Sequence, residues 1–321
     1  MEPINVLVCT DDKYVQQCGI MLTSLFVNNK LNSIRVFVLS AKLNSKNKSL
    51  LRTTADCYNV NIIFLTIDNQ MLNGFSETIK SGDHVSLAAY YRIFCSYVLP
   101  NNLDKILYLD CDIVVNCDII DLYNYNIDGY AIAGIVDENY FSIDNYNRLG
   151  LDKNITTYIN SGVLLINLNY WRKYNVTSRC VDCVCKMPNK LLFHDQDTLN
   201  VVLNNEIKYL PISWNFQTGF LYCINQDRYD DAIRNEILIT SNSPKIIHFT
   251  GKSKPWFKGC RQPYKMYYLY YKSISEWRDC KLLGKESIWF KLKRMIYNFL
   301  CFLGFKKKRD TYIIKLQKVS K

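Results

Sequence analysis

Apolar and polar positions follow two alternating patterns along the first third of the chain. Continuous apolar runs at residues 4–9, 34–39 and 60–65 predict buried strands, and apolar residues at helical spacing over 15–28 and 45–58 predict helices between them. Strands that are apolar on both faces and separated by helices predict an α/β fold with a mostly parallel central sheet. Such a sheet binds its ligands at the carboxyl ends of the strands.

The later pattern is less regular but continues the same kind of fold. It predicts helix 86–99, strand 105–109, strand 131–136, strand 162–168, helix 195–204 and strand 245–249. Residues 211–220 have turn and aromatic character without a clear period. Because there is no internal repeat and no low-complexity linker, we expect one continuous domain over residues 1–280.

Composition separates this domain from a basic tail. The chain has 321 residues, of which 49% are hydrophobic and 21% charged, a balance typical of a globular protein. Residues 281–321 contain 12 Lys/Arg and 2 Asp/Glu, so most of the formal net charge of +11 lies there. The thirteen cysteines are odd in number. Cys180, Cys183 and Cys185 lack the second cysteine pair of a zinc ribbon, so we expect reduced thiols.

The strongest chemical signal is a pair of carboxylates that follows strand 105–109. Asp110 and Asp112 are two positions apart, so in an extended chain both point to one side and can reach one cation. Carboxylate ligands suit Mg²⁺ or Mn²⁺, and His248 at the end of another strand would favour Mn²⁺ because imidazole is softer. The alternatives are a solvated Asp pair at a turn and a buried core histidine.

Two further segments suggest a nucleotide. Asp11 and Tyr14 follow the first strand, where they can bond and stack on a base, although a helix N-cap and a packing Tyr explain them as well. Gly251 would let the backbone approach a diphosphate, and Lys252 or Lys254 could neutralise it. No glycine-rich dinucleotide fingerprint and no Walker-type loop occur, which argues against a dehydrogenase or P-loop site.

Taken in order, six segments resemble glycosyltransferase family 8, the galactosyltransferase and glycogenin-like family of retaining enzymes with a GT-A fold. Within that family they are similar to bacterial lipooligosaccharide galactosyltransferases and general-stress glycosyltransferases. Residues 160–168, Asn-Ser-Gly-Val-Leu-Leu-Ile-Asn-Leu, nearly repeat a family signature. The six segments are 10–14, 84–92, 108–112, 158–171, 194–200 and 248–256.

The resemblance implies a role for each matched residue. The implied metal ligands, for Mn²⁺ or alternatively Mg²⁺, are Asp110, Asp112 and His248. The implied nucleotide-sugar contacts are Cys9, Asp11, Tyr14, Arg92, Asp110, Asn160, Gly251 and Lys254. The implied catalytic group around the donor sugar consists of Asp137, Asp195, Gln196 and Asp197.

The implied reaction is a retaining transfer of galactose or glucose from a UDP-sugar to a cell-envelope glycan or glycolipid. Gln196 is a poor nucleophile, so same-face attack by the acceptor is favoured, and Asp197 stays open as a covalent nucleophile. Two other functions stay open. They are a catalytically inactive UDP-sugar-binding protein of the same fold, and another metal-dependent nucleotide-using transferase such as a nucleotidyltransferase.

The basic tail has an amphipathic pattern over residues 287–309. Trp289, Leu292, Ile296, Phe299 and Leu303 recur at helical spacing between basic residues, which suits an anionic membrane surface. Docking on the protein's own core is the alternative, and the aromatic stripe argues against nucleic acid as a partner. Because the chain has no signal-peptide pattern and no membrane-spanning run, we expect a cytoplasmic protein whose tail, 281–321, lies on the inner face of the bacterial plasma membrane.

Overall fold

A computed structural model describes residues 2–72, 75, 87–223, 229–284 and 288–302. The strands are β1 (Ile4–Cys9), β2 (Ile34–Ser40), β3 (Asn61–Thr66), β4 (Lys105–Leu109), β5 (Ile113–Val115), β6 (Ile132–Val136), β7 (Ile159–Asn167), β8 (Ile207–Tyr209), β9 (Phe216–Gln217) and β10 (Ile246–His248). The helices are α1 (Val15–Asn28), α2 (Ser45–Asp56), α3 (Cys95–Val98), α4 (Ile120–Tyr123), α5 (Ile143–Leu149), α6 (Leu168–Lys173), α7 (Val176–Lys186), α8 (His194–Val202), α9 (Phe220–Cys223), α10 (Asp231–Asn242), α11 (Lys265–Ser273) and α12 (Ile288–Phe302).

The central sheet has seven strands in the order β3-β2-β1-β4-β7-β6-β8. Strands β1 and β2, β2 and β3, β1 and β4, and β6 and β8 pair in parallel, whereas β7 runs antiparallel to both β4 and β6. The predicted α/β fold with a mostly parallel sheet is therefore confirmed. The strand order reverses at β1, because β2 and β4 lie on its opposite sides, and a reversal of this kind opens a crevice at the carboxyl ends of the strands.

Both faces of the sheet are buried, as the continuous apolar strands predict. In β1, Val6 and Val8 pack into one hydrophobic cluster, and Leu7 and Cys9 pack into the cluster on the opposite face. Successive side chains of a strand point to opposite faces, so a strand covered on both sides must be apolar at every position.

A second, three-stranded sheet has the order β5-β10-β9. Strand β5 follows Asp112 directly, and its register with β10 places His248 opposite Ile113. The backbone N–H of Phe249 donates to the Asp112 carbonyl at 3.1 Å. The pairing of two three-residue strands thus brings His248 beside Asp112, which is distant along the chain.

The helix predicted over 86–99 differs from the structure. Leu87–Phe94 is a 3-10 helix, and only Cys95–Val98 is α-helical. The carbonyls of Ala89 and Ile93 accept bonds from the side chains of Arg92 and Thr177, which compete with regular helical bonding. Residue 86 lies outside the described residues, as does His84 of the segment matched to the family.

The tail begins with a short contact to the body and continues as α12. Leu283 donates its N–H to the Trp256 carbonyl and accepts from the Lys258 N–H, so the chain up to this point belongs to the body. In the part of the chain that the structure covers, no helix has both the length and the apolarity needed to cross a membrane. The predicted continuation of the stripe at 303–309 and the rest of the tail lie outside the described residues.

Among the cysteines whose side chains the structure describes, none forms a disulfide. Cys180 and Cys183 of α7 are buried in the core, whereas Cys185 is exposed.

Candidate functional site

A pocket of about 640 Å³ opens at the carboxyl ends of β1 and β4. Its walls come from the end of β1, the segment after β4, the start of α8 and the turn after β10. This position is the crevice where the strand order reverses, so the fold itself explains why the polar segments meet here.

Asp110 and Asp112 line this pocket and form a cluster with His248, which is buried and does not line it. One ligand atom of each side chain lies within 4.8 Å of the other two, and His248 Nε2 is 3.3 Å from Asp112 Oδ1. Two carboxylates and one imidazole are a donor set that fits a divalent ion such as Mn²⁺. The three residues predicted as metal ligands are therefore neighbours in the structure.

The cluster requires a close approach between β7 and His248. A Cβ at Gly162 would lie 2.3 Å from Cε1 of the His248 ring, so only glycine leaves room for the ring. This contact gives a physical reason for the glycine in the Asn-Ser-Gly sequence.

Lysine and histidine set the charge of Asp112. Lys254 Nζ lies 2.6 Å from Asp112 Oδ2 and 2.7 Å from the Phe249 carbonyl. Burial alone would raise the pKa of Asp112, but Lys254 and His248 outweigh burial and hold that pKa well below its usual range. Asp112 raises the pKa of His248 in return, although burial opposes the change. The Asp112 carboxylate is thus ionised, which is the form that binds a cation.

Arg92 is the buried cation on the other side of the cluster. Its Nη2 is 2.8 Å from Asp110 Oδ1, its Nε is 3.2 Å from Asp195 Oδ2, and its Nη1 donates to the Ser161 carbonyl. The guanidinium lies 4.1 Å from the Tyr108 ring centre, and the Tyr108 hydroxyl also donates to Asp110 Oδ1. Burial raises the pKa of Asp195 to about 6, and Arg92 limits the increase. Arg92 therefore fixes Asp110 and Asp195 in place together.

Three predicted sugar-site residues form a connected polar group. Asp137 Oδ2 accepts from Asn160 Nδ2 and from Gln196 Nε2, each at 3.1 Å. Gln196 Oε1 accepts from Asn160 Nδ2 at 3.0 Å and from the Ser161 N–H at 3.2 Å. Burial raises the pKa of Asp137 despite these bonds. Gln196 and Ser161 line the pocket, whereas Asp137 and Asn160 do not line it and bond to Gln196.

Asp197 differs from the other residues predicted around the sugar. Its side chain is completely buried and paired with Arg148, and, like Asp137, it does not line the pocket. Arg148 Nη1 and Nη2 bind its two oxygens at 2.7 and 3.1 Å, and the Tyr158 hydroxyl and the Phe193 N–H also donate to it. Both oxygens of the carboxylate accept hydrogen bonds from protein donors, so a role as covalent nucleophile does not fit the structure.

At the nucleotide end, Cys9, Tyr14 and Gly251 line the pocket. Asp11 instead accepts from the N–H groups of Lys13 and Tyr14 in the turn before α1, whereas the N-cap residue of this helix is Tyr14. Gly251 has φ +74°, and nothing lies within 4 Å of the place of a Cβ. The backbone conformation requires this glycine, and the open space beside it leaves the main chain accessible to a ligand.

The sequence interpretation missed several polar residues around the site. Asn215 contacts His248 and Asn160, and Gln217 accepts from the Glu138 N–H and donates to the Val136 carbonyl. Thr250 donates to Glu138, whose pKa burial raises to about 7. Asn215 and Gln217 belong to residues 211–220, where no period marks either side chain.

Comparisons with known proteins agree with this geometry. The sequence matches the family model described as glycosyl transferase family 8 over residues 5–260. It is 30% identical to general stress protein A of Bacillus subtilis (strain 168), over 89% of this chain and 98% of that protein. It is 27% identical to a lipopolysaccharide 1,2-glucosyltransferase of Escherichia coli (strain K12), over 89% and 82% respectively.

Among solved structures, the chain resembles the galactosyltransferase LgtC in complex with donor and acceptor sugar analogues. The TM-score is 0.76 at 21% sequence identity, covering 90% of this chain and 100% of the other. At this identity the likeness shows the fold, which is the GT-A fold.

Proposed function

Because the chain belongs to glycosyl transferase family 8 and is a glycosyltransferase, we propose that it transfers galactose or glucose from a UDP-sugar. The acceptor in this proposal is a cell-envelope glycan or glycolipid, and the anomeric configuration is retained. The observation that carries the proposal is that Asp110, Asp112 and Lys254 line the pocket and that His248 lies beside the two aspartates. The name of the Escherichia coli relative, a lipopolysaccharide glucosyltransferase, supports a hexose and an envelope acceptor.

Asp110, Asp112 and His248 would hold a divalent ion, and we propose Mn²⁺ with Mg²⁺ as a substitute. The imidazole makes the donor set softer than the all-oxygen set that Mg²⁺ prefers. When bound, such an ion supplies positive charge to the diphosphate of the leaving group.

Lys254 and Gly251 act on the same diphosphate in this proposal. Lys254 brings a second positive charge to the wall that carries Asp112, and Gly251 leaves the main chain open to phosphate oxygens. Both residues line the pocket, as do Cys9 and Tyr14 at the nucleotide end.

Asp137, Asn160 and Gln196 orient the donor sugar, since their amide and carboxylate groups suit hydroxyl partners. We propose same-face attack, in which the acceptor oxygen bonds to the anomeric carbon as the bond to phosphate breaks. The acceptor proton then passes to the departing phosphate oxygen. Gln196 lines the pocket but is a poor nucleophile, and the Asp197 carboxylate is held by Arg148 away from it.

A donor screen with Mn²⁺ tests this function by scoring UDP release and sugar transfer for UDP-glucose and UDP-galactose. We expect release above background with at least one donor, loss of release in EDTA, and a decrease of about 100-fold or more in Asp112→Asn. Folded protein that releases no UDP from any donor would contradict the proposal. Donor binding without release would instead indicate the inactive binding protein.

We also propose that α12 lies on an anionic membrane surface, which would make the protein peripheral on the inner face of the plasma membrane. Five apolar side chains of α12 are between 46% and 85% exposed, namely Leu292, Met295, Ile296, Phe299 and Phe302. Basic residues occur in the first half of this helix, at Lys291, Lys293 and Arg294, and again after it at 306–309 in the sequence, and the combination suits a lipid surface.

A further inference from the structure

Asn215 connects the metal cluster with the residues around the donor sugar. It is fully buried at the end of the 3-10 helix Ile212–Asn215. Its Oδ1 lies 2.9 Å from His248 Nδ1, and its Nδ2 lies 2.9 Å from Asn160 Oδ1. One side-chain amide thus bonds to a predicted metal ligand on one side and to a predicted sugar contact on the other.

Neighbouring groups determine which way this amide faces. The backbone N–H of Gly162 can only donate, and it donates to Asn160 Oδ1 at 3.0 Å. Asn160 Nδ2 donates to the Asp137 carboxylate, which fixes the same orientation independently. Asn215 must therefore turn its Nδ2 toward Asn160 Oδ1, which leaves its Oδ1 toward the His248 ring.

The orientation of Asn215 in turn determines the tautomer of His248. Because an amide oxygen can only accept, Nδ1 of His248 must carry the hydrogen. Once Nε2 has given up any hydrogen that it shares with Asp112 Oδ1, 3.3 Å away, the lone pair of the imidazole is on Nε2 and can bind a cation. The ring also lies against Gly162, where the absence of a side chain leaves room for it.

We infer that Asn215 is a positioning residue that holds His248 in the tautomer able to bind a divalent ion through Nε2. The inference rests on the metal site of the proposed function and adds a residue that acts through His248. Partners of this kind, which bond the second nitrogen of a ligating histidine, typically change metal affinity by about 10–100-fold.

The test compares three variants by their Mn²⁺ affinity, measured from the free Mn²⁺ signal in electron paramagnetic resonance without donor. Asn215→Leu removes the acceptor and should weaken binding about 10–100-fold. Asn215→Asp keeps an acceptor for Nδ1 but cannot donate to Asn160, so its affinity should equal or exceed that of the wild type. Asn29→Leu, a buried amide bonded to Leu25, Cys117 and Ile119, should leave the affinity unchanged.

Long-range ¹H–¹⁵N spectra of the histidine rings give a second readout that does not need a metal. The chain has three histidines, so the His248 signals can be assigned by substitution. In metal-free protein we expect a hydrogen on Nδ1 in the wild type and in Asn215→Asp, including where Asp112 holds a second hydrogen on Nε2. We expect loss of the Nδ1–H in Asn215→Leu, where Asp112 is the acceptor that remains and favours Nε2–H.

The outcomes separate this inference from the metal proposal. Wild-type protein that binds no Mn²⁺ but shows the Nδ1–H tautomer would remove the metal site and leave the effect of Asn215 on the ring intact. Wild-type affinity and tautomer in Asn215→Leu would overturn the inference. Equal loss of Mn²⁺ affinity in Asn215→Leu and Asn215→Asp would also overturn it, because a purely structural amide predicts that result.

Discussion

At the scale of single residues, ionised groups at the site pair with charges that also position them. Asp112 lies between Lys254 and His248, and Asp110 shares the Arg92 guanidinium with Asp195. The Asp197–Arg148 pair has the same form but lies beside the pocket wall, where it holds the Phe193 N–H at the start of α8. Carboxylates that are close in sequence, such as Asp195 and Asp197, therefore have different roles.

The structural role of Asp197 predicts a large stability effect. Arg148→Met and Asp197→Asn should each lower the free energy of unfolding by about 3–5 kcal/mol, because each leaves its partner buried without a counter-charge. The double variant should lose less than the two single losses together. Urea unfolding of the four proteins measures these free energies.

A surface pair provides the control for that experiment. Arg179 and Glu206 are partly exposed, so Arg179→Met should cost only about 1 kcal/mol or less. Asp197→Asn that unfolds like the wild type yet transfers no sugar would contradict the structural role and restore the covalent nucleophile.

Sequence spacing could predict some of these residues and not others. Asp110 and Asp112 follow a clear strand at an interval of two, and His248 ends another strand, so strand geometry alone places them at one edge. Asn215 follows no period, and the separation of 49 positions between Arg148 and Asp197 hides their contact. The chemistry of a side chain is visible in the sequence, but its distant partner is not.

At the scale of elements, strongly periodic segments were predicted well. The predicted bounds of β1, α1 and β4 are those of the structure, β2 ends one residue later than predicted, and β3 is shifted by one residue at both ends. Strand β7 begins three residues before the predicted strand and runs antiparallel to its neighbours. Strands β5 and β9 have three and two residues, which is too short for a period to show, although β5 helps to place His248.

The apolar face of α12 leads to a prediction about membranes. A chain ending at Gly284 keeps the contact of Leu283 with Trp256 and Lys258, so its body should fold normally. Full-length protein should sediment with vesicles that contain anionic lipid, and less so at high salt, because surface charge contributes to binding. The shortened chain and the variant Leu292→Glu with Phe299→Glu should stay in the supernatant.

Ile155→Glu is the matched control, since Ile155 is 69% exposed and lies outside the tail. It should bind vesicles like the wild type. Equal binding by the shortened chain would show that α12 is not the membrane contact.

At the scale of the whole molecule, the fold and the charge distribution divide the work between two parts. The α/β body is nearly neutral and carries a pocket where the strand order reverses at β1. The excess of basic over acidic residues lies mostly beyond residue 280. We expect the body to bind the nucleotide-sugar and the tail to bring the enzyme to an envelope acceptor. The two functions should be separable by substitution or deletion.

The central claim is that Asp110, Asp112 and His248 close around one cation beside the nucleotide diphosphate. Crystals grown with Mn²⁺ and UDP, measured on both sides of the manganese absorption edge, locate the ion directly. We predict one anomalous peak about 2.0–2.3 Å from an oxygen of each aspartate and from His248 Nε2, in contact with the diphosphate. Bound UDP with the manganese peak elsewhere, or with His248 turned away from it, would contradict the claim.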